Sequence, residues 1–253
     1  MAQGYTRTDT LASGEPTEQT TTSTGTVNDF DLTAAYTLLR CNNASDLILT
    51  GFTVAGSAPT EGDRVTIVSV GAGNVFFSHQ TGSTAANQLL NMATGGNTPL
   101  AAGVGTAEYV YDSTTARWRL VNHQGGWLSV AYSAGNFTGS GSMTWSVDSA
   151  DQDVFRYAVS GKTMIITFRI TATDVGGTAA LFLHITIPGG FSATGRGASA
   201  INYSDAGGNS TVGLVQVVPA DTKLYLSTNP QANWTLTTGD NTLVTGTIQF
   251  EIT

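Results

Sequence analysis

Residues 63–121 contain only short stretches in which apolar and polar side chains alternate, and Gly, Asn, Thr or Ser interrupts each stretch. Alternation with a period of two is typical of a half-buried β-strand, whereas an amphipathic helix needs apolar residues three and four positions apart over at least ~10 residues. No part of this region meets the helical condition. Its order is a GDRVTIVSVG strand, a polar loop, a PLAAG step and a hairpin formed by AEYVYD and ARWRLV. The region therefore predicts β structure without helices.

The segment 65–70 differs from the other predicted strands because both of its faces are apolar. Val65 and Ile67 lie on one face, and Val68 and Val70 lie on the other. A strand that is apolar on both faces is buried on both, either inside a sandwich or at a contact between subunits. We therefore expect this strand to lie in a core or in a subunit interface.

The second half of the chain has cleaner strand patterns. Apolar residues alternate through 164–171 and 181–187, and Pro188-Gly189-Gly190 stops the second of these strands. Gln124-Gly125-Gly126 marks the best domain boundary, because two glycines without apolar periodicity follow one another there. Strands at this spacing, with turns between them, are typical of antiparallel sandwiches and jelly rolls.

These patterns predict an all-β fold with two antiparallel β-sandwich or jelly-roll-like domains after an extended N-terminal arm. We place the arm at residues 1–29, the first domain at residues 30–124 and the second domain at residues 125–253.

The arm is polar and has almost no aliphatic side chains, so it cannot bury enough apolar area to fold alone. We expect it to anchor the protein to a partner, with Tyr5, Arg7 and Leu11 making the contacts.

The chain carries few charges, and most are negative. Charged residues are 11% of its 253 residues, the net charge is −8 and the isoelectric point is about 4.6. This balance argues against nucleic acid and against an anionic membrane surface as partners. No stretch approaches the ~18 apolar residues of a spanning helix, and residues 1–5 lack the basic and apolar regions of a secretory signal. We expect synthesis in a cytoplasm, no membrane insertion, and a buried, unreactive Cys41.

The strand order in 63–121 resembles a β-domain that recurs in tail-fibre and other virion structural proteins of tailed bacteriophages. The second half looks like the C-terminal knob of phage fibres. Its matching elements are the FRYAVSGKTMIITFRIT hairpin, the LHITIP strand and the closing GTIQFEI strand. Together the two resemblances cover about residues 46–253.

The resemblance implies a non-enzymatic phage virion structural protein: a homotrimeric tail fibre or spike, made in the host cytoplasm and exposed on the particle surface. Residues 1–29 would attach it to other virion proteins of the tail, baseplate or capsid, and the knob would bind a host-surface glycan or protein. Two alternatives stay open. One is a trimeric capsid decoration or head-fibre protein, and the other is a free, monomeric carbohydrate-binding module.

Motifs for catalysis or metal binding are weak. Gly161-Lys162-Thr163 ends like a phosphate-binding loop, but Arg156 stands where that motif needs its first Gly, so we expect a hairpin turn. The cluster Asp148, Asp151 and Asp153 lacks the spacing of a calcium loop and predicts a solvated turn.

The three histidines, His79, His123 and His184, are far apart, and we expect each to be a satisfied surface or interface residue. No repeat of the kind that marks the long parallel β-helices of phage depolymerases is visible. We therefore expect no enzymatic activity, no cofactor and no resident metal, and only the binding of Ca²⁺ by a surface loop stays open.

Host binding is expected at two loops of the knob, within 198–210 and 229–234. The candidate residues are polar or aromatic: Asn202, Tyr203, Asp205, Asn209, Asn229, Asn233 and Trp234. Trp234 has two interpretations, a ring that stacks on a sugar and a ring that packs under its own loop, and the second is favoured.

Overall fold

The computed structural model of the protein describes residues 15–229 and 231–253. The all-β class is confirmed, because strands form nearly all of the regular structure. The candidate anchoring residues Tyr5, Arg7 and Leu11 lie outside the described residues. No helix in the described part of the chain is long and apolar enough to cross a lipid bilayer.

The strands fall into two units, which we call the β-helix unit (residues 15–124) and the sandwich unit (residues 125–229 and 231–253). The strands of the β-helix unit are β1 (Thr17–Thr21), β2 (Gly25–Val27), β3 (Phe30–Leu32), β4 (Tyr36–Cys41), β5 (Leu47–Leu49), β6 (Phe52–Val54), β7 (Arg64–Ser69), β8 (Val75–Phe77), β9 (Leu89–Leu90), β10 (Thr98–Leu100), β11 (Thr106–Asp112) and β12 (Arg117–Gln124). Those of the sandwich unit are β13 (Leu128–Ser129), β14 (Phe137–Gly139), β15 (Met143–Ser146), β16 (Gln152–Ser160), β17 (Thr163–Gly177), β18 (Leu183–Thr186), β19 (Gly197–Ser204), β20 (Thr211–Val217), β21 (Lys223–Ser227) and β22 (Thr237–Glu251). Short 3-10 helices lie at Ala85–Asn87, Ala134–Asn136 and Pro188–Gly190.

The β-helix unit begins as a short parallel β-helix with three strands in each turn. Strands β1, β4 and β7 pair in parallel, β2, β5 and β8 form a second parallel stack, and β3 pairs with β6 in a third. The antiparallel strands β11 and β10 then close the far side of the first two stacks, against β7 and β8 respectively.

The parallel pairing differs from the antiparallel sandwich expected for this unit. In a β-helix, the residues that pair come from successive turns, as Thr17 does with Thr37 and Tyr36 with Arg64. These two turns differ in length, so the sequence carries no fixed repeat that would reveal the stacking. Several of the strands are only three residues long, which weakens their alternation signal further.

The assignment of residues up to 29 to an extended arm is wrong for residues 17–27, because β1 and β2 are paired strands of the first turn. Thr21 is buried there and Val27 packs against the core of the unit. The sequence hides this because the first turn is mostly threonine. Its buried Thr21 donates its hydroxyl to Ser23 Oγ at 2.9 Å, within the same turn.

Asp29 fastens the first turn to a distant loop. Its carboxylate accepts hydrogen bonds from the Thr84 backbone N–H at 3.1 Å and from Asn87 Nδ2 at 2.9 Å, and its own N–H donates to Ser83 Oγ at 2.7 Å. Burial would raise the pKa of Asp29, but the hydrogen bonds from Asn87 and Thr84 outweigh it and lower the pKa. Gly51 lets this loop approach, since a Cβ there would lie 2.3 Å from the Asn87 carbonyl oxygen.

Gln19, on β1, makes hydrogen bonds to backbone groups in and after β3, within the first turn. Its Nε2 donates to the Asp31 carbonyl oxygen at 2.9 Å, and its Oε1 accepts from the Thr33 N–H at 3.1 Å. One side-chain amide therefore satisfies two backbone groups of β3 and the residue after it, at the end of the helix where no earlier strand of the described chain pairs.

The core of the β-helix unit is aromatic at its centre. Trp118 is fully buried, stands edge-on to Phe52 with ring centres 5.4 Å apart, and donates its indole N–H to the Phe52 carbonyl oxygen at 3.0 Å. The expected burial of Cys41 is confirmed. Burial raises the pKa of the Cys41 thiol to about 12, so the thiol stays protonated and unreactive at neutral pH.

Strand β7 is buried on one face only within a single chain. Val65 and Ile67 are fully buried, whereas Val68 is half-buried and Val70 is 43% exposed. The outer face of this sheet therefore keeps an apolar character that the chain itself does not cover.

The sandwich unit is one ten-stranded sheet that folds onto itself. Its strands pair in the order β13-β16-β17-β22-β19-β20-β21-β18-β14, and β15 returns to pair with the far end of β17. All these pairs are antiparallel, as expected. The predicted hairpin turn at Gly161-Lys162 is confirmed, because it joins β16 to β17 with Gly161 at φ +60°.

The two units are in contact through the segment between β9 and β12. Ala93 and Ala101 belong to the core of the sandwich unit, although they precede the boundary in sequence. The Ala101 N–H donates to the Gly125 carbonyl oxygen at 2.6 Å, which joins the two units directly. Within the β-helix unit, His123 Nε2 lies 2.8 Å from the Pro99 carbonyl oxygen. The first unit therefore supplies part of the second unit's core.

Candidate functional site

Three segments of the sandwich unit meet at one end of the sheet: the turn 205–210 between β19 and β20, residues 228–229 and 231–236 after β21, and residues 238–241 within β22, where Gly239 and Asp240 have positive φ. The Thr235 N–H donates to both oxygens of Asp205, at 3.2 and 3.1 Å. The Gly207 N–H donates to the Asn241 carbonyl oxygen at 2.7 Å. These bonds fix the three segments to one another, and we call this region the loop end.

The side chains of Tyr203 and Trp234 pack together in the core directly under the loop end. Their rings are edge-on with centres 5.2 Å apart, and they are 6% and 0% exposed. The Trp234 indole N–H donates to the Leu226 carbonyl oxygen at 3.2 Å, and Tyr203 Oη accepts from the Asn229 N–H at 3.3 Å. Gly213 leaves room for them, since a Cβ there would lie 2.9 Å from the Tyr203 ring.

This burial corrects the placing of Tyr203 and Trp234 among the residues that touch a ligand. A buried ring cannot stack on a sugar, so both residues act by holding the loops. The alternative interpretation of Trp234, a ring packed under its own loop, is confirmed.

The other candidate residues are divided between two surfaces. Asn209, Asn229 and Asn233 are exposed at the loop end, and Asp205 is half-buried beneath it. Asn202 is exposed on the outer face of β19, paired with Val212 and Thr245, and lies apart from the loops. The structure therefore brings together six of the seven predicted residues, four at or near the surface and two in support.

The loop end offers amide and backbone hydrogen-bonding groups on a fixed frame. Side-chain amides both donate and accept, which suits ligands that present hydroxyl or amide groups. In the described residues, no group of three or more His, Cys, Asp or Glu side chains is placed to hold a metal ion.

The acidic cluster before β16 has local hydrogen-bonding roles. Asp151 Oδ2 accepts from the Asp148 N–H at 2.7 Å, which closes the turn, and Asp153 pairs with Arg169. The expected solvated turn is confirmed for Asp148, which is exposed.

His184 corrects the expectation of a satisfied surface histidine. It is buried on β18, edge-on to Tyr225 at 4.7 Å between ring centres, and neither ring nitrogen has a hydrogen-bond partner in the described structure. Burial, assisted by the Lys223 charge, lowers the pKa of His184, and burial also lowers those of His79 and His123. All three imidazoles therefore favour the neutral form at pH 7.

A second surface feature lies on the outer face of β16 and was missed by the sequence analysis. Trp127 is 43% exposed, and the Arg156 guanidinium carbon lies 4.8 Å from its ring centre. A polar cleft of about 320 Å³ lies beside Arg156. One sequence signal could have revealed this feature: an aromatic residue, Trp127, directly follows Gly125-Gly126 and precedes an edge strand. Large apolar side chains left exposed at such a position often mark a binding surface.

No known protein-family model and no curated protein matches this sequence.

Proposed function

We propose that the protein is a non-enzymatic virion structural protein, a homotrimeric tail fibre or spike that binds the host surface through the loop end of the sandwich unit. Residues 1–14, and not the whole of 1–29, act as the attachment to the rest of the particle, since the first turn of the β-helix begins at Thr17.

The fixed loop end is the observation that carries this proposal. It presents Asn209, Asn229 and Asn233 to solvent above the buried Tyr203–Trp234 pair. Binding loops on a rigid scaffold lose little conformational entropy on association, and amides suit the hydroxyl groups of surface glycans and the backbone of surface proteins.

The partly apolar outer face of the β-helix unit supports the trimer. Val68, Val70 and Val121 lie on the outward face of its largest sheet, and Val70 and Val121 are exposed. Closed symmetry would cover such a face without creating a new open edge. Light scattering at micromolar concentration tests this part, and a monomer would contradict it.

Adsorption of particles to host cells tests the attachment role. Replacing Asn229 and Asn233 together by Ala is expected to weaken adsorption by about tenfold, in line with the loss of interface hydrogen bonds. Asn202→Ala is the matched control, because Asn202 is also an exposed asparagine but lies on the outer face of β19.

Unchanged adsorption of the Asn229/Asn233 variant would contradict the assignment of the loop end. Imaging of the labelled chain on the particle decides between a tail location and the capsid location of a decoration protein.

A further inference from the structure

Two arginines of the described chain lie over aromatic rings at the surface, and they differ in charge balance. Arg64 lies 5.9 Å from the ring centre of Tyr36, and its Nε is 3.3 Å from Glu108 Oε1. Arg156 lies over Trp127, and no carboxylate of the described residues pairs with it. Arg156 is therefore a cation held in place by an indole and not neutralised by the protein.

Trp127 and Arg156 are exposed on the outer face of β16, and two clefts lie along this strand. Residues 152–156 line the polar cleft of about 320 Å³ together with Ser129 and Val130. Residues 158–160 line a second cleft of about 220 Å³ together with residues 123–126 at the junction of the units. The strand rises ~3.3 Å per residue, so the clefts and Arg156 extend over roughly 25 Å. This length suits an oligosaccharide better than a single small molecule.

A β-bulge shapes the polar cleft. The pairing of β16 with β17 shifts between Gln152 and Val154, which places Asp153 outside the regular ladder. Asp153 pairs with Arg169, so that carboxylate is neutralised. Gln152 Nε2 donates to the Val130 carbonyl oxygen at 2.7 Å. Arg156 is then the one unbalanced charge among the residues that line this cleft.

We propose that this face of β16 binds a saccharide that carries a carboxylate, with the sugar ring packed on the exposed part of Trp127 and the carboxylate paired with Arg156. The site lies apart from the loop end and adds a class of ligand to the proposed attachment function, on which its biological role rests. The C–H face of a pyranose is apolar enough to pack on an indole, and a guanidinium binds a carboxylate through two parallel hydrogen bonds.

The charge of the whole chain restricts the ligand further. A net charge of −8 repels polyanions at long range, so a phosphate-rich polymer is disfavoured. One carboxylate beside one arginine is a local interaction that this field weakens without preventing.

The test is titration of the purified full chain with a tetrasaccharide that carries a single glucuronic acid residue, followed by NMR of the indole N–H groups and by calorimetry. We expect saturable binding that shifts the Trp127 indole signal. The same tetrasaccharide with its carboxyl group reduced to an alcohol is the matched ligand, and we expect it to bind at least about tenfold more weakly.

Variants locate the site. Trp127→Ala and Arg156→Gln are each expected to weaken binding by about tenfold, and Arg156→Lys is expected to retain part of it because the charge remains. Tyr36→Ala and Arg64→Gln alter the other exposed arginine–aromatic pair and should leave binding unchanged. Trp127 and Arg156 are exposed, so thermal unfolding of these variants should match that of the parent protein; Trp127→Phe replaces Trp127→Ala if it does not.

Equal binding of the reduced tetrasaccharide, no saturable binding, or full binding by Arg156→Gln would each overturn the proposal. The failure of this saccharide proposal can be told apart from a failure of the proposed virion function, because the titration uses purified protein and the virion function is tested on whole particles. Binding by a chain that imaging does not find on the virion would keep this site and reject the virion role.

Discussion

The β-helix unit and the sandwich unit are built from similar strands but pair them in opposite ways. In the sandwich unit, hairpins such as β16–β17 pair Val159 with Met164, which are close in sequence. In the β-helix unit, each parallel pair joins residues a full turn apart, as in Thr17 with Thr37. Local hairpin pairing leaves a clear signal in the sequence, whereas stacking between turns does not. The first turn of the β-helix is therefore essential to its unit even though its sequence looks like a linker.

Deletion of residues 1–29 is expected to have the largest effect. It removes β1, β2 and Asp29, and so leaves one edge of β4 and one edge of β5 unpaired and the 83–87 loop without its hydrogen bonds to Asp29. We expect the calorimetric transition of the β-helix unit to disappear while a transition of the sandwich unit remains, because the lost pairings are a large share of the ~5–15 kcal/mol by which a unit of this size is stable.

Deletion of residues 1–14 is the control for this experiment. It removes none of the pairings described above, so both transitions should persist. If the longer deletion also kept both transitions at their original temperatures, the first turn would be dispensable.

The two buried tryptophans give a matched pair for comparing the units. Trp118 and Trp234 are both fully buried, and each donates its indole N–H to a backbone carbonyl oxygen. Replacement of either by Ala is expected to cost about 3–5 kcal/mol, through lost burial and the cavity left behind. Each variant should lower the unfolding temperature of its own unit in calorimetry.

A shift of both transitions by Trp118→Ala would mean that the units unfold together. That outcome is physically reasonable only if the contact made by Ala93 and Ala101 couples them strongly. The corresponding Phe variants should have smaller effects, because most of the buried apolar area is kept.

Asp29 gives a third comparison, with Asp205 as its counterpart in the sandwich unit. Asp29→Ala is expected to destabilise the β-helix unit by about 2 kcal/mol, because hydrogen bonds to a carboxylate are strong. Asp205→Ala removes a carboxylate that accepts from one exposed N–H and should cost less, about 1 kcal/mol. Urea unfolding of each variant measures the difference.

The pH dependence of Asp29 has a definite sign. Its pKa is lowered on folding, so the stabilisation is present above the unfolded pKa near 4 and is lost as the pH falls through the lower folded pKa. Asp29→Asn should flatten this part of the stability curve, and an unchanged curve would contradict the role given to the carboxylate.

His184 is expected to give the smallest effect. Its folded pKa is lowered, so the unfolded chain binds the proton more readily and the sandwich unit loses stability as the pH falls from about 7 through the unfolded pKa near 6.5. One proton limits the slope to about 1.4 kcal/mol per pH unit. Unfolding of His184→Phe at pH 7 and pH 5.5 should show a smaller difference than the parent, and an equal difference would assign the dependence to other groups.

The sequence was sufficient for the all-β class, for the sandwich strands and for the buried Cys41. It was insufficient for the parallel stacks, because turns of unequal length hide the pairing of Thr17 with Thr37. Among the candidate site residues, the sequence did not separate exposed from buried side chains: Tyr203 and Trp234 look like ligand contacts until their burial is known. Trp127 was missed because its exposure depends on the pairing of the edge strand β13 with β16, which the sequence does not reveal.

The stacking of turns makes the β-helix unit a spacer whose length can be changed in fixed increments. Strands of successive turns lie ~4.8 Å apart, so one added copy of a turn would move the first turn outward by that distance and leave the closing strands β10, β11 and β12 untouched. The Gln19 amide would still cover the outermost turn, since both groups that it satisfies belong to that same segment. Reach could thus be altered by duplication or loss of a single segment, without redesign of either end.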